Sequence, residues 1–216
     1  MVFTAMSTDY YPRLAEVAED NQQSKQVINQ QAEIAILILS PIILTFIVFI
    51  NWVVILLYSS QFTPINNMIL YAILGIFFKA ASWAIAYIFL AKGSSKLFFI
   101  NELITNIYLL VFNIVGYKYL GMTGIGISFL LAYMIYMLQV YVISRYKYQF
   151  SLNFDFYKIF IPQLLLAISC LLIIKNINQP YSYIIGFGFI IISAWLSYKG
   201  LDRRIGINSL FARFKK

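Results

Sequence analysis

Two charged side chains lie where an apolar chain has no ordinary use for them. Lys79 stands at the centre of Asn67–Ala91, a mostly apolar run that carries no other charge. At about 1.5 Å rise per residue, a helix of that length crosses a hydrocarbon layer of about 30 Å and places Lys79 near its midplane. An ammonium there costs roughly 2.5–3.5 kcal/mol on insertion scales, so it needs a counter-charge, a wet cavity or a ligand. The second is Glu102, in the next apolar run, Leu97–Tyr117. Glu102, Asn106 and Asn113 fall at i, i+4 and i+11, which is one face of a helix, with Thr105 adjacent. Such a stripe is either a wet, ligand-facing surface or a set of buried interhelical hydrogen bonds. The backbones of Lys79 and Glu102 differ in depth by about 9 Å, a gap that a lysine stem or a bridging water spans. Lys79 shares its face with Gly75, Ser82 and Ala86, small residues that let a neighbouring helix approach closely. The lysine is then either a cavity-facing cation or one partner of an ion pair that fixes helix packing.

The elements that must hold these groups follow from composition. The 216 residues are 62% hydrophobic and 11% charged, with mean hydropathy +0.80. A soluble domain of this size has no interior for that much apolar surface. Six apolar runs of about 16–25 residues are present: Ile34–Tyr58, Asn67–Ala91, Leu97–Tyr117, Met122–Ser144, Tyr157–Ile174 and Tyr183–Tyr198. None has the alternation of a membrane barrel strand, so each predicts a membrane-spanning helix. The first contains Pro41, which suits a kink, and has Asn51 and Trp52 toward its outer end. In the fourth, Gly121, Gly124 and Gly126 open the run. Tyr133 and Tyr136 at its middle need hydrogen-bond partners, and either line a polar path or pack against a glycine-rich neighbour.

Basic residues orient the set. Arg13, Lys25, Lys92, Lys96, Arg145, Lys147, Lys158, Lys199, Arg203, Arg204, Arg213, Lys215 and Lys216 fall on one side, and only Lys118 and Lys175 on the other. By the positive-inside rule both termini are expected in the cytoplasm. The +8 net charge is accounted for by topology, and no nucleic-acid partner is implied. Residues 1–32 read as a short apolar start followed by a cytoplasmic linker helix, with Pro12 in the first turn after Asp9. That segment lies at the membrane surface or is a solvated linker. Residues 33–200 read as a six-helix bundle, and 201–216 as a basic tail. Ile207, Leu210, Phe211 and Phe214 at i, i+3, i+4 and i+7 predict an interfacial helix there.

Chemistry of the enzymatic kind finds little support. The chain has no histidine, and its single cysteine, Cys170, lies in an apolar run suited to packing. No nucleophile–base pair, no carboxylates at glycosidase-like spacing and no Gly-rich phosphate loop is present, so a non-enzyme without cofactors is expected. A membrane glycosyl- or acyltransferase built from scattered residues is the enzymatic alternative.

Several stretches resemble the bacterial polysaccharide (O-antigen) flippases of the multidrug/oligosaccharidyl-lipid/polysaccharide exporter superfamily. They are Thr8-Asp9-Tyr10-Tyr11-Pro12-Arg13-Leu14 with Asn29-Gln30-Gln31, Leu56–Phe62, Gly75–Gly93 with Lys79-Ala80-Ala81-Ser82-Trp83, and Gly121-x-x-Gly124-x-Gly126. The motifs are loose but run along nearly the whole chain. The resemblance implies translocation of undecaprenyl-diphosphate-linked oligosaccharide across the inner membrane by alternating access between two lobes. It also implies that the chain corresponds to the C-terminal part only: an incomplete lobe, with Met1–Met6 as the remnant of a preceding helix. Helices supplied elsewhere, or a second copy, would then complete the cavity. On this reading Lys79, Trp83, Asn106 and Asn113 are candidate substrate-binding residues, and Glu102 a candidate for ion or proton coupling. Two rivals stand beside it: a half-size transporter of another substrate that dimerises, and a membrane assembly subunit that transports nothing.

Overall fold

A computed structural model of the chain describes residues 2–206, which form six α-helices. These are α1 (Val2–Glu16), α2 (Asn21–Leu57), α3 (Asn66–Ala91), α4 (Ser95–Tyr148), α5 (Phe154–Asn176) and α6 (Tyr181–Ile205), with a short 3-10 turn, Ser60–Ile65, between α2 and α3. Among the described residues there is no strand. Five helices, α2 to α6, are long and apolar enough to cross a membrane. The chain is an all-α polytopic membrane protein.

At 54 residues a straight α4 would run about 80 Å, far beyond any bilayer. It is instead a hairpin. Gly121 takes φ 57° and ψ −143°, a conformation essentially confined to glycine, and the helix reverses there. The arms, 95–120 and 122–148, then run antiparallel. Ser128 Oγ donates to the Phe112 carbonyl at 2.6 Å, and Gln139 Nε2 donates to Asn101 Oδ1 at 2.6 Å. Nearest the bend, a Cβ on Gly124 would collide with the backbone of Gly116, so the arms touch main chain to main chain. With this reversal the six expected passages are present.

Packing is organised on α2 and α3. Phe77, Ala80, Ala81 and Ala84 of α3 meet Ile36, Leu44, Ile47 and Val48 of α2 in one fully buried cluster. The small α3 side chains bring the two axes close. α4 packs on the other side of α3, and α5 and α6 on α2. A Cβ at Gly75 would stand 2.7 Å from the Phe129 ring, so the expected close approach on the Lys79 side is made by the second arm of α4.

The linker is where the expected and observed elements differ. α2 begins at Asn21 rather than near residue 33, and runs 37 residues without a break. Asp20 caps it, accepting from the backbone N–H of Gln22 at 2.7 Å and Gln23 at 3.1 Å. The Gln23 and Gln22 amides hold the Asp20 carboxyl below the usual carboxylate range. Pro12 lies inside α1, not in a first turn. α1 is no free linker: Tyr10 and Leu14 are completely buried, and Tyr10 Oη donates to the Ala84 carbonyl of α3 at 2.6 Å. α5 and α6 extend past both expected bounds, and α6 ends at Gly206, a left-handed C-cap. The expected interfacial helix around Ile207–Phe214 lies outside the described residues.

Pro41 does not break α2. Ser40 Oγ donates to the Ile36 carbonyl and Thr45 Oγ1 to the Pro41 carbonyl, at 2.5 and 2.8 Å. The alternating directions of α2 to α6 collect Lys25, Lys92, Lys96, Arg145, Lys147, Lys158, Lys199, Arg203 and Arg204 at one end of the bundle. Cross-ties close that end. Lys92 Nζ reaches Asn21 Oδ1 at 2.7 Å, Asn29 Nδ2 donates to the Ser151 carbonyl at 3.1 Å, and Arg204 Nε pairs with Glu33 at 2.6 Å.

Candidate functional site

Lys79 is half-buried on the side of α3 that faces the α4 hairpin. Its ammonium lies 4.9 Å from the centroid of the Tyr133 ring and 5.7 Å from that of Phe129. Cation–π attraction of this kind supplies about 0.5–2 kcal/mol, which offsets part of the cost of holding the charge in an apolar layer. Lys79 makes no ion pair among the described residues; those with ion pairs are Arg13, Lys158 and Arg204. Ser82 turns back on its own helix, donating to the Lys79 carbonyl at 3.0 Å.

Beside the lysine is a cavity of about 190 Å³ lined by Lys79, Trp83, Ala86, Tyr87, Phe98, Glu102, Tyr133 and Tyr136. Three segments build it: α3 and the two arms of α4. Glu102, on the first arm, accepts a hydrogen bond from Tyr136 Oη on the second. Lys79 and Glu102 thus meet not in an ion pair but across a shared cavity. Aromatic rings hold the cation and a phenol holds the carboxylate. The arrangement leaves a cation and a carboxylate facing one space, with tyrosine and tryptophan walls able to hydrogen-bond or stack. An anion has a point charge to bind there, and Glu102 has a neighbour through which a proton can be relayed.

The structure brings together Lys79, Trp83 and Glu102, but not the two asparagines. Asn106 is exposed, and its side-chain amide donates to the Glu102 carbonyl of its own helix at 2.9 Å. Asn113 lies about 16 Å along the arm from Glu102. By that level the arms have converged toward Gly116 and Gly124, and Asn113 lines neither the Lys79 cavity nor the apolar one between Phe112, Gly116, Gly124 and Leu131. Its Oδ1 is buried without a hydrogen-bond partner.

Tyr133 and Tyr136 enter the site as walls, and the glycines beside them serve other contacts: Gly126 abuts the backbone of Met68. Tyr87 and Phe98 were not foreseen. Tyr87 stands two turns from Lys79 with Trp83 between them, so the same helical spacing that flagged Gly75 and Ala86 could have found it. Asn101, also not foreseen, is buried beside Glu102 and takes its bond from Gln139.

Fold and cavity together define a helical, polytopic membrane protein with one cation and one carboxylate lining a largely aromatic cavity. Comparison of the chain with models of known families, with curated proteins and with solved structures finds no match.

Proposed function

We propose that the chain is part of a flippase that moves a lipid-diphosphate-linked oligosaccharide across the bacterial inner membrane for surface polysaccharide synthesis, including O-antigen of lipopolysaccharide. The observation that carries this reading is Lys79. It is a cation without a carboxylate partner among the described residues, held on aromatic faces at the edge of an intramembrane cavity. A charge so placed is a functional group by default, and a diphosphate is the anion that a membrane-borne glycan carrier presents. The sequence resemblance supports the glycan.

The cavity's 190 Å³ is below the roughly 300–1,000 Å³ of sites that enclose a whole small molecule. Lys79 therefore contacts the diphosphate head group, while the sugars lie outside this cavity against surfaces completed by further helices or a second copy. Glu102, bonded to Tyr136, is the coupling residue, and Trp83 a wall for the first sugar or the lipid. Asn106 and Asn113 do not line this cavity, so any sugar contact they make lies outside it. The basic end of the bundle faces the cytoplasm, by the positive-inside rule.

The test is a strain whose surface polysaccharide depends on this chain. Lys79→Ala, made at wild-type level in the membrane, is expected to lower surface polysaccharide at least tenfold, with Lys79→Arg retaining part of it. Undiminished polysaccharide in Lys79→Ala overturns the reading. If Lys79 and Glu102 tolerate joint replacement by leucine, a non-transporting assembly subunit takes its place.

A further inference from the structure

A second pocket, remote from Lys79 and independent of the flippase reading, lies at the basic end between α5 and α6. It has a volume of about 340 Å³. Four cations line it, Lys158, Lys199, Arg203 and Arg204, against one carboxylate, Asp155. Two of the four are engaged. Arg204 is tied to Glu33 and to the Gly200 carbonyl, and Lys158 pairs with Asp155 at 3.0 Å in an exposed contact. Lys199 and Arg203 enter no ion pair among the described residues, and the Lys199 ammonium lies 5.1 Å over the Trp195 ring.

Below the charges the walls turn apolar: Leu37, Ile159, Pro162 and Leu196. The floor is Gln163, fully buried, with its amide satisfied by Ser193 and Ser197, so it asks nothing of a ligand. Exposed Ile161, Ile192 and Trp195 continue the apolar surface away from the cations. Gly200 shapes the back of the pocket, since a Cβ there would stand 2.7 Å from the Leu37 side chain.

We propose that this pocket binds the phosphodiester head group of an anionic glycerophospholipid. Lys199 and Arg203 take the phosphate, while an acyl chain lies along Pro162, Trp195 and Ile192. Three features converge on that occupant. Uncommitted cations match a phosphate. An exposed tryptophan sits where helix ends meet head groups. Basic pockets between helices at the end of a bundle suit anionic lipid. A soluble phosphate would use the first feature and leave the other two without a role.

The test uses the full-length protein in mild detergent, with lipid adducts counted by native mass spectrometry. Phosphatidylglycerol is expected to be retained at least tenfold more than phosphatidylcholine. Lys199→Ala with Arg203→Ala is expected to abolish that preference, and Lys118→Ala with Lys175→Ala, at the opposite end, to preserve it. Lys199→Arg with Arg203→Lys is expected to keep it as well. Should the double alanine variant misfold, Trp195→Ala tests the apolar wall with every charge in place and is expected to weaken retention of phosphatidylglycerol. Equal retention of the two lipids, unchanged retention in the double alanine variant, or full displacement of phosphatidylglycerol by an equal concentration of inorganic phosphate overturns the proposal.

Discussion

Glu102 is held in an apolar body by a single phenol, Tyr136, on the opposite arm of α4. Removing that hydroxyl leaves a carboxylate oxygen without its donor, which costs about 1–3 kcal/mol. Tyr136→Phe is therefore expected to lower the thermal unfolding midpoint in detergent by several degrees, whereas Tyr133→Phe, which keeps its ring over Lys79, is expected to have little effect. At this scale the sequence was informative about charge and silent about partnership. A lone lysine or glutamate in an apolar run stands out whatever the fold, so Lys79 and Glu102 were legible. A tyrosine in such a run is equally at home in packing, and only the pairing of the arms reveals Tyr136 as the carboxylate's donor. Asn106 and Asn113 share an ideal face with Glu102. A face, however, says nothing of where a neighbouring helix closes the gap.

The hairpin of α4 rests on one glycine conformation. Gly121→Ala forces a side chain onto φ 57°, ψ −143°, at a cost of about 1–3 kcal/mol. The expected outcome is a protein that still inserts but whose arms part. A disulfide engineered between the arms near Ser128 and Phe112 should then form more slowly than in the parent, and an unchanged rate would contradict this account. The six spans were legible because each is a long apolar run. That 97–117 and 122–144 form one bent helix was not, since Gly121 alone does not announce which φ it takes. The start of α2 was missed for a different reason. Residues 21–31 have no apolar stripe, yet Asp20 with Gln23 three positions on is a capping signature, and the Gln23 side chain does donate to Asp20 Oδ2 at 3.0 Å.

Across the whole molecule, α4 leans almost wholly on α3, while α2, α5 and α6 form a second group. The basic end ties the second group together through Glu33 and Arg204, whose side chains are 9% and 19% exposed. Breaking such a pair from one side strands a charge and costs about 3 kcal/mol, while replacing both partners by apolar residues is near neutral. Glu33→Leu is thus expected to destabilise the protein in detergent, and Glu33→Leu with Arg204→Leu to recover most of the loss, as measured by thermal unfolding. Equal destabilisation in the two variants would mean that the pair is not coupled. This tie also changes what Pro41 means. The interior steps of an α-helix are stiffened by rungs of backbone hydrogen bonding, and a proline has no N–H to supply one. The compliance of the long rod is therefore concentrated at residue 41. The half before it is clamped at Asn29 and Glu33, and the half after it is anchored in the core by its own Ile43, Leu44, Ile47 and Val48. Stress applied at the charged end is relieved at Pro41 instead of being carried to the far rim, so α2 behaves mechanically as two segments joined in series.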